Sequence, residues 1–308
     1  MKKILFLLLI LPGTIGAQDY VDLLRIGYGQ TFNNDFEGTG ESTFVKSFDA
    51  DLTVPVVLNE KHAFITGAVY SRNNLQLFPD ATATSLHSTI VKFGLASTYN
   101  EKWSSTLVFL PKIASDYVNS SGEDFYFGGV GLLKYQKTEH LKYRFGLYAS
   151  TEAFGIFTTP IIGWYYLSPN SKFEMDVSLP ISADINYTFG STTLGFDYIG
   201  IGRSFRITEN DTDVYADVSS LEFASYLQFN ALEKSVLLRA KFGYSSSNYE
   251  IYRNGEEIDL GLSAFSFGDD RTQLNPNLSG GLFLRFEAIY RFNISEDSPA
   301  APVLDGEE

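Results

Sequence analysis

The chain has 308 residues, a formal net charge of −14 at pH 7, 26 phenylalanines, 19 tyrosines and no cysteine. The lack of cysteine excludes a disulfide scaffold and a thiolate metal site, and the acidic balance argues against a nucleic-acid-binding protein. Beyond residue 18 the sequence has no apolar run of the roughly 20 residues that a spanning helix needs, which excludes a helical membrane protein.

The first seventeen residues have the layout of a secretory signal peptide. Lys2 and Lys3 give a basic start, an unbroken apolar run extends from Ile4 to Leu11, and the small residue Ala17 precedes the expected cleavage point. The apolar run is too short to stop in a membrane as a helix. The sequence therefore predicts an exported protein with residues 1–17 removed.

Alternating polar and apolar residues dominate the rest of the chain and predict β-strands. Around residue 52, for example, Leu52, Val54 and Val56 share one face, while Asp49 and Asp51 lie on the other. The predicted strands cover residues 22–30, 43–58, 63–71, 86–99, 103–114, 124–136, 141–150, 158–167, 172–180, 183–189, 193–206, 214–230, 235–248 and 280–293. Many are longer than the five or six residues of an average strand and reach the nine to eleven that cross a membrane.

The connections between these strands alternate between short and long. Turns near residues 59–62, 100–103, 137–140, 168–171 and 232–235 are short, whereas polar stretches at 31–42, 72–85, 115–124, 151–157, 207–214 and 245–279 read as long loops. Short turns at one rim and long loops at the other are typical of outer-membrane barrels. We therefore predict an all-β fold, a transmembrane antiparallel β-barrel over residues 18–293 with short periplasmic turns and long extracellular loops. It has about 14 strands, or 12 if the stretch around Pro180 is one bent strand.

The last predicted strand ends in Tyr290-Arg291-Phe292, with aromatic residues at alternate positions. With the export signal and the alternating strands, this makes the chain resemble the uncharacterised, porin-like, single-domain outer-membrane β-barrel families of Gram-negative bacteria. The resemblance implies residence in the cell outer membrane, contact with its lipids and lipopolysaccharide, and insertion by the barrel-insertion machinery. It assigns no functional residue. The acidic tail 294–308 departs from barrels that end on the aromatic residue, and we expect it to be disordered in the periplasm.

Charged residues within the strands are expected to face the lumen, because a charge on the lipid face costs roughly 2–4 kcal/mol near the midplane. The predicted pore-lining residues are Arg25, Asp49, Asp51, Lys92, Lys134, Lys142, Arg144, Glu174, Asp176, Asp197, Arg203, Glu222, Arg239, Lys241, Arg285, Glu287 and Arg291. A barrel much wider than eight strands leaves space that side chains alone do not fill. We therefore predict a passive diffusion channel for small polar solutes, without a cofactor or a metal.

Two other functions stay open at this stage. A lumen filled by ion pairs would make a closed structural or surface-interaction barrel. A lipid-active hydrolase would need a nucleophile hydroxyl beside an imidazole, and His87, with Ser85 and Thr89 on the same strand face, is the candidate. The carboxylates around Asp211 indicate a solvated acidic loop rather than a metal site.

The stretch 245–279 is the candidate for closing the lumen. It contains Asn254-Gly255, which favours a tight hairpin turn. This hairpin could stand upright or fold inward, and the sequence does not decide between the two. It also leaves the solute and the oligomeric state undetermined.

Overall fold

The computed structural model describes residues 20–118, 121–209 and 212–293; the predicted signal peptide and the tail 294–308 lie outside them. Fourteen strands form the barrel, as predicted. They are β1 (Tyr20–Phe32), β2 (Lys46–Asn59), β3 (His62–Leu75), β4 (Thr84–Thr98), β5 (Trp103–Ser115), β6 (Phe125–Thr138), β7 (Leu141–Glu152), β8 (Gly155–Leu167), β9 (Phe173–Leu179), β10 (Ser182–Phe189), β11 (Thr192–Glu209), β12 (Thr212–Ala231), β13 (Val236–Arg253) and β14 (Gly281–Asn293). Within the described ranges, no helix is long and apolar enough to span a membrane.

The strands close into one antiparallel barrel. Each strand pairs with its neighbours in the chain, and β1 pairs with β14 from Tyr20↔Asn293 upward to Phe32↔Leu282. The stretch around Pro180 is a turn between two separate strands, β9 and β10, which pair from Phe173↔Tyr187 to Ser178↔Ser182. The alternative count of twelve is therefore wrong.

Alternation along each strand separates an outward apolar face from the interior. On β5, Leu107 and Phe109 are exposed, whereas Val108 and Lys112 between and beyond them are buried. The same pattern recurs on the other strands, so that a belt of exposed Leu, Val, Ile and Phe side chains surrounds the molecule. This is the surface that a transmembrane barrel presents to lipid.

The two ends of the barrel differ in their connections. At the end that we call inner, the turns are short, as predicted. At the outer end, four connections are long, 33–45, 76–83, 116–124 and 254–280, and they correspond to four of the predicted loops with shifted bounds. The predicted long loops 151–157 and 207–214 are wrong, because β7, β8, β11 and β12 continue through them, and residues 245–253 belong to β13. Their polar composition is compatible with strands because strand ends beyond the bilayer need no apolar outward face.

The outer ends of β11, β12 and β13 fold across the mouth of the barrel. We call this unit the flap, defined as residues 203–208, 213–218 and 247–253. Arg206 on β11 pairs with Ser115 on β5, although five strands separate β5 from β11 along the wall. Asp116 consolidates the crossing: its N–H donates to the Arg206 carbonyl at 3.0 Å, and its carboxylate accepts from the Thr208 N–H at 3.0 Å. The contact therefore spans the lumen.

An apolar cluster fills the space beneath the flap. We call it the outer core, and it joins three groups of fully buried side chains. The flap contributes Phe205, Ile207, Val214, Ala216, Val218, Tyr249 and Ile251; the wall contributes Leu75, Leu86, Ala114 and Tyr126; and the outer connections contribute Phe36, Val45, Leu77 and Leu278. The outer mouth of the barrel is closed by this core.

The opposite face of the flap is covered as well. Tyr215 and Tyr252 pack there against Phe154, from the β7–β8 turn, and Ile258. Arg271, from the connection between β13 and β14, lies 4.0 Å over the Tyr252 ring and donates to the Tyr215 hydroxyl and the Asp217 carboxylate at 3.0 Å. Part of the 245–279 stretch therefore packs over the flap.

Candidate functional site

The inner half of the lumen contains a polar cavity of about 500 Å³. Its lining combines both signs of charge with tyrosines, and includes Tyr20, Arg25, Arg144, Tyr165, Glu174, Asp176, Asp184, Asp197, Arg239 and Arg291. At its upper end it is lined by Ser182 and Ile199, the last paired residues of β10 and β11. The cavity thus extends from the inner rim to the level at which the β9–β10 hairpin ends.

A buried charge network on β10, β11, β13 and β14 forms one side of the lumen. Lys241 contacts Asp197 at 2.5 Å and Glu287 at 2.9 Å, and Arg239 contacts Asp184 at 3.1 Å and Asp197 at 3.7 Å. Arg239 also lies 3.8 Å over the ring of Tyr226. Because these charges are removed from bulk water, each needs its partner, and the network behaves as a rigid unit.

Further predicted residues form ion pairs between strands that are not neighbours. Arg285 on β14 contacts Asp49 on β2 at 2.5 Å and Glu222 on β12 at 3.4 Å. Lys92 on β4 contacts Asp51 on β2. Arg285 alternates along β14 with the exposed residues Leu284 and Phe286, so it and its partners lie inside the barrel.

At the inner rim, Arg291 joins the first and last strands. Its guanidinium contacts Asp22 at 2.6 Å and lies 3.5 Å over the ring of Tyr20. Tyr20 in turn donates to Glu174 on β9, across the lumen. Arg25 contacts Asp22 at 3.4 Å.

The remaining predicted residues differ in how they are partnered. Arg144 contacts Asp176 at 2.7 Å, and Arg203 in the flap donates to the Ser71 hydroxyl at 2.8 Å. Lys142 and Lys134 lie on the neighbouring strands β7 and β6, where Lys134 is opposite Arg144. Whether the seventeen residues line a conducting pore stays a prediction.

The sequence interpretation missed the contact that fastens the flap, which we call the latch. The Lys112 ammonium lies 2.6 and 2.8 Å from the two carboxylate oxygens of Glu152. The same carboxylate accepts from the N–H and the hydroxyl of Ser204, both at 2.8 Å. The Ser204 hydroxyl also accepts from the Ala153 N–H at 2.7 Å. The latch therefore ties β5, β7 and the flap together in a fully buried position.

The alternation of polar and apolar residues could have identified Lys112, the cationic member of the latch. Lys112 falls on the same face as Val108, opposite the lipid-facing Leu107 and Phe109. Glu152 lies in a stretch that polar composition assigns to a loop. Ser204 has no distinguishing feature in the sequence, because its role depends on the inward bend of β11.

The candidate catalytic histidine lacks the expected partners. His87 Nδ1 lies 2.8 Å from the Tyr70 hydroxyl, and its ring stacks on Tyr117 at 4.9 Å. The Ser85 hydroxyl instead accepts from Arg72 and Asn74, and the Thr89 hydroxyl bonds to Tyr117. At the inner rim, His62 Nδ1 lies 2.9 Å from the Ser97 hydroxyl. Neither histidine has a carboxylate among the hydrogen-bond partners found in the described residues.

No metal-binding cluster is evident in the part of the chain that the structure describes: it contains no group of three or more His, Cys, Asp or Glu side chains arranged to hold an ion. Asp211, in the acidic stretch considered above, lies outside the described residues. Its neighbour Asp213 contacts Arg206 at 2.8 Å.

In the 254–280 connection, which packs over the flap, Arg271 lowers the pKa of a neighbouring carboxyl group. Its guanidinium lies 2.9 Å from Asp269, and these hydrogen bonds hold the pKa of the Asp269 carboxyl below its usual range. The carboxylate form is therefore favoured while the loop is packed.

Comparison with known proteins finds distant likenesses to solved structures. No family model and no curated relative matches the chain. Solved structures with a similar fold include the NanC porin, at 11% identity over 87% of this chain and 98% of that one with a TM-score of 0.34. The TodX monoaromatic hydrocarbon channel is 10% identical over 89% and 91%, with a TM-score of 0.35. OccK5 of Pseudomonas aeruginosa is 11% identical over 89% and 98%, with a TM-score of 0.27.

Proposed function

We propose that the protein is a gated outer-membrane channel that passes small polar solutes only while the flap is displaced. One observation carries the proposal: a polar cavity that reaches the inner rim ends under an apolar core to which the inward-folded ends of three wall strands contribute. A fixed structural barrel has no need of a water-filled space of about 500 Å³ in its inner half. The charged side chains around that space suit polar solutes.

The flap is suited to be a gate because its underside, against the outer core, is apolar. Its polar attachments are the latch, the bonds to Asp116 and Ser71, the contacts of Arg206 with the 116–124 connection, and the hydrogen bonds between the flap and the 254–280 connection. Burial of Phe205, Ile207 and Ile251 alone contributes about 4–9 kcal/mol. If the closed state is favoured by ~4 kcal/mol, the flap is open for about one part in a thousand of the time. We therefore expect brief, rare openings rather than steady conductance.

Disulfide locking tests the gate directly, since the native chain has no cysteine to interfere. Ser115 and Arg206 are paired across the mouth, so the variant Ser115→Cys with Arg206→Cys would fix the flap when oxidised. In planar bilayers, we expect no channel openings from the oxidised protein and openings after reduction. The single variant Arg206→Cys, treated identically, controls for loss of the arginine.

A second change should act in the opposite direction. Phe205→Ala removes a fully buried ring from the outer core and should raise the open probability at least tenfold, because such a cavity costs about 3–5 kcal/mol. Phe145→Ala, on the lipid face of β7, is the matched control. Openings that persist unchanged in the locked protein would contradict the gate.

A closed structural barrel is the second candidate. The completeness of the outer core, which buries both faces of the flap around Tyr215 and Ala216, favours it. Under this function, folded protein stays silent in bilayers even with Phe205→Ala and with the reduced cysteines. Silence in all variants would therefore exclude the channel.

Export by residues 1–17, insertion through recognition of the last strand, and contact with lipopolysaccharide complete the proposal. The outer connections supply carboxylates that could contact divalent ions bridging lipopolysaccharide, although Glu123 and Asp213 already contact Arg206 at 3.4 and 2.8 Å. If such ions matter, a chelator should lower the melting temperature of the protein in lipopolysaccharide-containing membranes.

A further inference from the structure

We propose a second route into the cavity: a lateral portal above the β9–β10 hairpin that admits single-chain amphiphiles with a charged headgroup from the outer leaflet. This route does not pass through the flap, although Phe157, which lines it, also packs against the cover of the flap. It follows from a gap in the barrel wall, from the cavity that ends at the lower edge of that gap, and from the short hairpin that covers the gap.

The gap arises because β9 and β10 are short. They have seven and eight residues, whereas the other barrel strands have at least twelve. Seven residues at ~3.3 Å each, tilted by ~40°, rise about 18 Å, which is less than the ~25 Å apolar band of an outer-membrane barrel. The β9–β10 turn therefore ends within the depth of the outer leaflet.

The neighbouring strands continue past this turn without a partner from the hairpin. Ile162↔Leu179 is the last pair between β8 and β9, and Ser182↔Ile199 is the last between β10 and β11. In a regular sheet, two missing strands leave about 14 Å between the flanking strands. The backbone at the turn is satisfied internally, because Tyr198 donates to the Pro180 carbonyl at 2.7 Å. The gap is thus compatible with a lipid environment.

A few apolar side chains fill the gap. Phe157 projects from β8 towards β11, where a Cβ added to Gly202 would lie 3.3 Å from its ring. The hairpin made of the short strands Leu260–Leu262 and Phe265–Phe267 pairs with the edge of β8 that the β9–β10 hairpin leaves free, and so occupies the gap as an extension of the sheet. This attachment is small: two residue pairs, Phe157↔Gly261 and Thr158↔Leu262, and a bond of 2.9 Å from the Ser263 N–H to the Thr158 carbonyl. We call it the covering hairpin.

The covering hairpin exposes apolar side chains at its tip. Phe265 is 67% exposed and Phe267 is 50% exposed. Such side chains are favourable at the lipid interface and unfavourable in water. The covering hairpin therefore suits a position against the outer leaflet, where it could be displaced towards the lipid.

The chemistry on the two sides of the gap indicates the ligand. Inside the barrel and below the gap, the cavity offers Arg144 and Arg239 together with Asp176 and Asp184, a lining that suits a zwitterionic headgroup. In front of it, Ile162 and Leu179 face the lipid and suit an alkyl chain. A gap of this width, partly filled by Phe157, has room for one chain rather than two.

Photocrosslinking in lipid nanodiscs tests the portal. The probe is a lysophosphatidylcholine with a diazirine near its headgroup, dissolved in the bilayer, and adducts are mapped by mass spectrometry. We expect adducts on the cavity side chains of β10 and β11, such as Asp184 and Thr193, in the native protein. Phe157→Ala should increase them at least threefold, and the matched lipid-face variant Phe145→Ala should not.

Two disulfide locks separate this proposal from the gate. Oxidised Thr158→Cys with Leu262→Cys, which fixes the covering hairpin to β8, should remove the cavity adducts, and reduction should restore them. The oxidised flap lock between positions 115 and 206 should leave them unchanged. Cavity adducts that survive the hairpin lock, or that only the flap lock removes, would overturn the portal. Adducts confined to lipid-facing residues such as Leu194 in every variant would overturn it as well, without bearing on the gate.

Discussion

The outer half of the lumen is filled by apolar side chains, whereas the inner half is lined by charged and polar ones. The outer half is closed by packed apolar side chains of the flap, such as Phe205 and Ile251, fastened at one buried ion pair. The inner half is organised by ion pairs such as Lys241–Asp197 and Arg291–Asp22 around a polar cavity. Both sets of residues face the interior, so the difference is one of chemical character rather than of orientation.

The difference matters because an apolar core and a set of ion pairs respond differently to the displacement of a strand and to contact with water. An apolar core loses its contacts together when one element withdraws, which makes its opening cooperative. Ion pairs at the hydrated rim of the cavity, such as Arg291–Asp22, can exchange a partner for water at smaller cost than the buried Lys241–Asp197 pair. A gate is therefore expected in the outer half, and a selectivity surface in the inner half.

The largest effect should come from breaking the latch. Lys112→Met leaves the Glu152 carboxylate, which is fully buried, without its counter-ion, and such a loss costs about 3–5 kcal/mol. We expect hydrogen exchange of the flap amides to accelerate by at least a hundredfold.

The matched control for the latch is Lys92→Met. Its partner Asp51 is 43% exposed, so water can replace the lysine, and the flap should be unaffected. Equal acceleration of flap exchange in both variants would show that the latch does not fasten the flap.

A smaller effect should follow from shortening an apolar side chain of the flap. Ile251 is fully buried in the outer core, and its replacement by alanine should lower the free energy of unfolding by about 2–5 kcal/mol. Ile162→Ala, at a lipid-facing position on β8, should cost less because lipid fills the space. Urea unfolding in vesicles measures both, and a larger loss for Ile162→Ala would contradict the assignment of the outer core.

The sequence predicts much more of the wall than of its closure. Alternation around residues such as Leu107 and Lys112 depends only on local geometry, so fourteen strands could be recognised without a structure. The flap could not be, because Arg206↔Ser115 and Ser204–Glu152 join residues far apart in the chain. Serines and asparagines at 245–248 suggest a loop by composition, yet they continue β13 into the flap.

The inner half should respond more weakly to mutation. Arg291→Met removes the contact with Asp22 and the stacking on Tyr20, which together join β1 to β14 at a partly hydrated rim. A charged hydrogen bond of this kind contributes about 1.5–3 kcal/mol. We expect faster hydrogen exchange at residues 20–24 and no change in the flap. Faster exchange in the flap alone would indicate that the two halves are coupled.

The smallest effect should be a pH dependence in the loop over the flap. Because Arg271 lowers the pKa of Asp269 in the folded state, the contact stabilises the loop above the ordinary carboxyl pKa of about 3.9 and is lost as the pH falls through the lower, folded value. Exchange at residues 269–275, corrected for the intrinsic rate, should therefore accelerate below about pH 4. Asp269→Asn should already exchange faster at pH 7 and show a weaker dependence on pH. If the native protein and this variant show the same pH profile, Asp269 does not fasten the loop, and the flap's cover depends on Asp217 and Tyr215 alone.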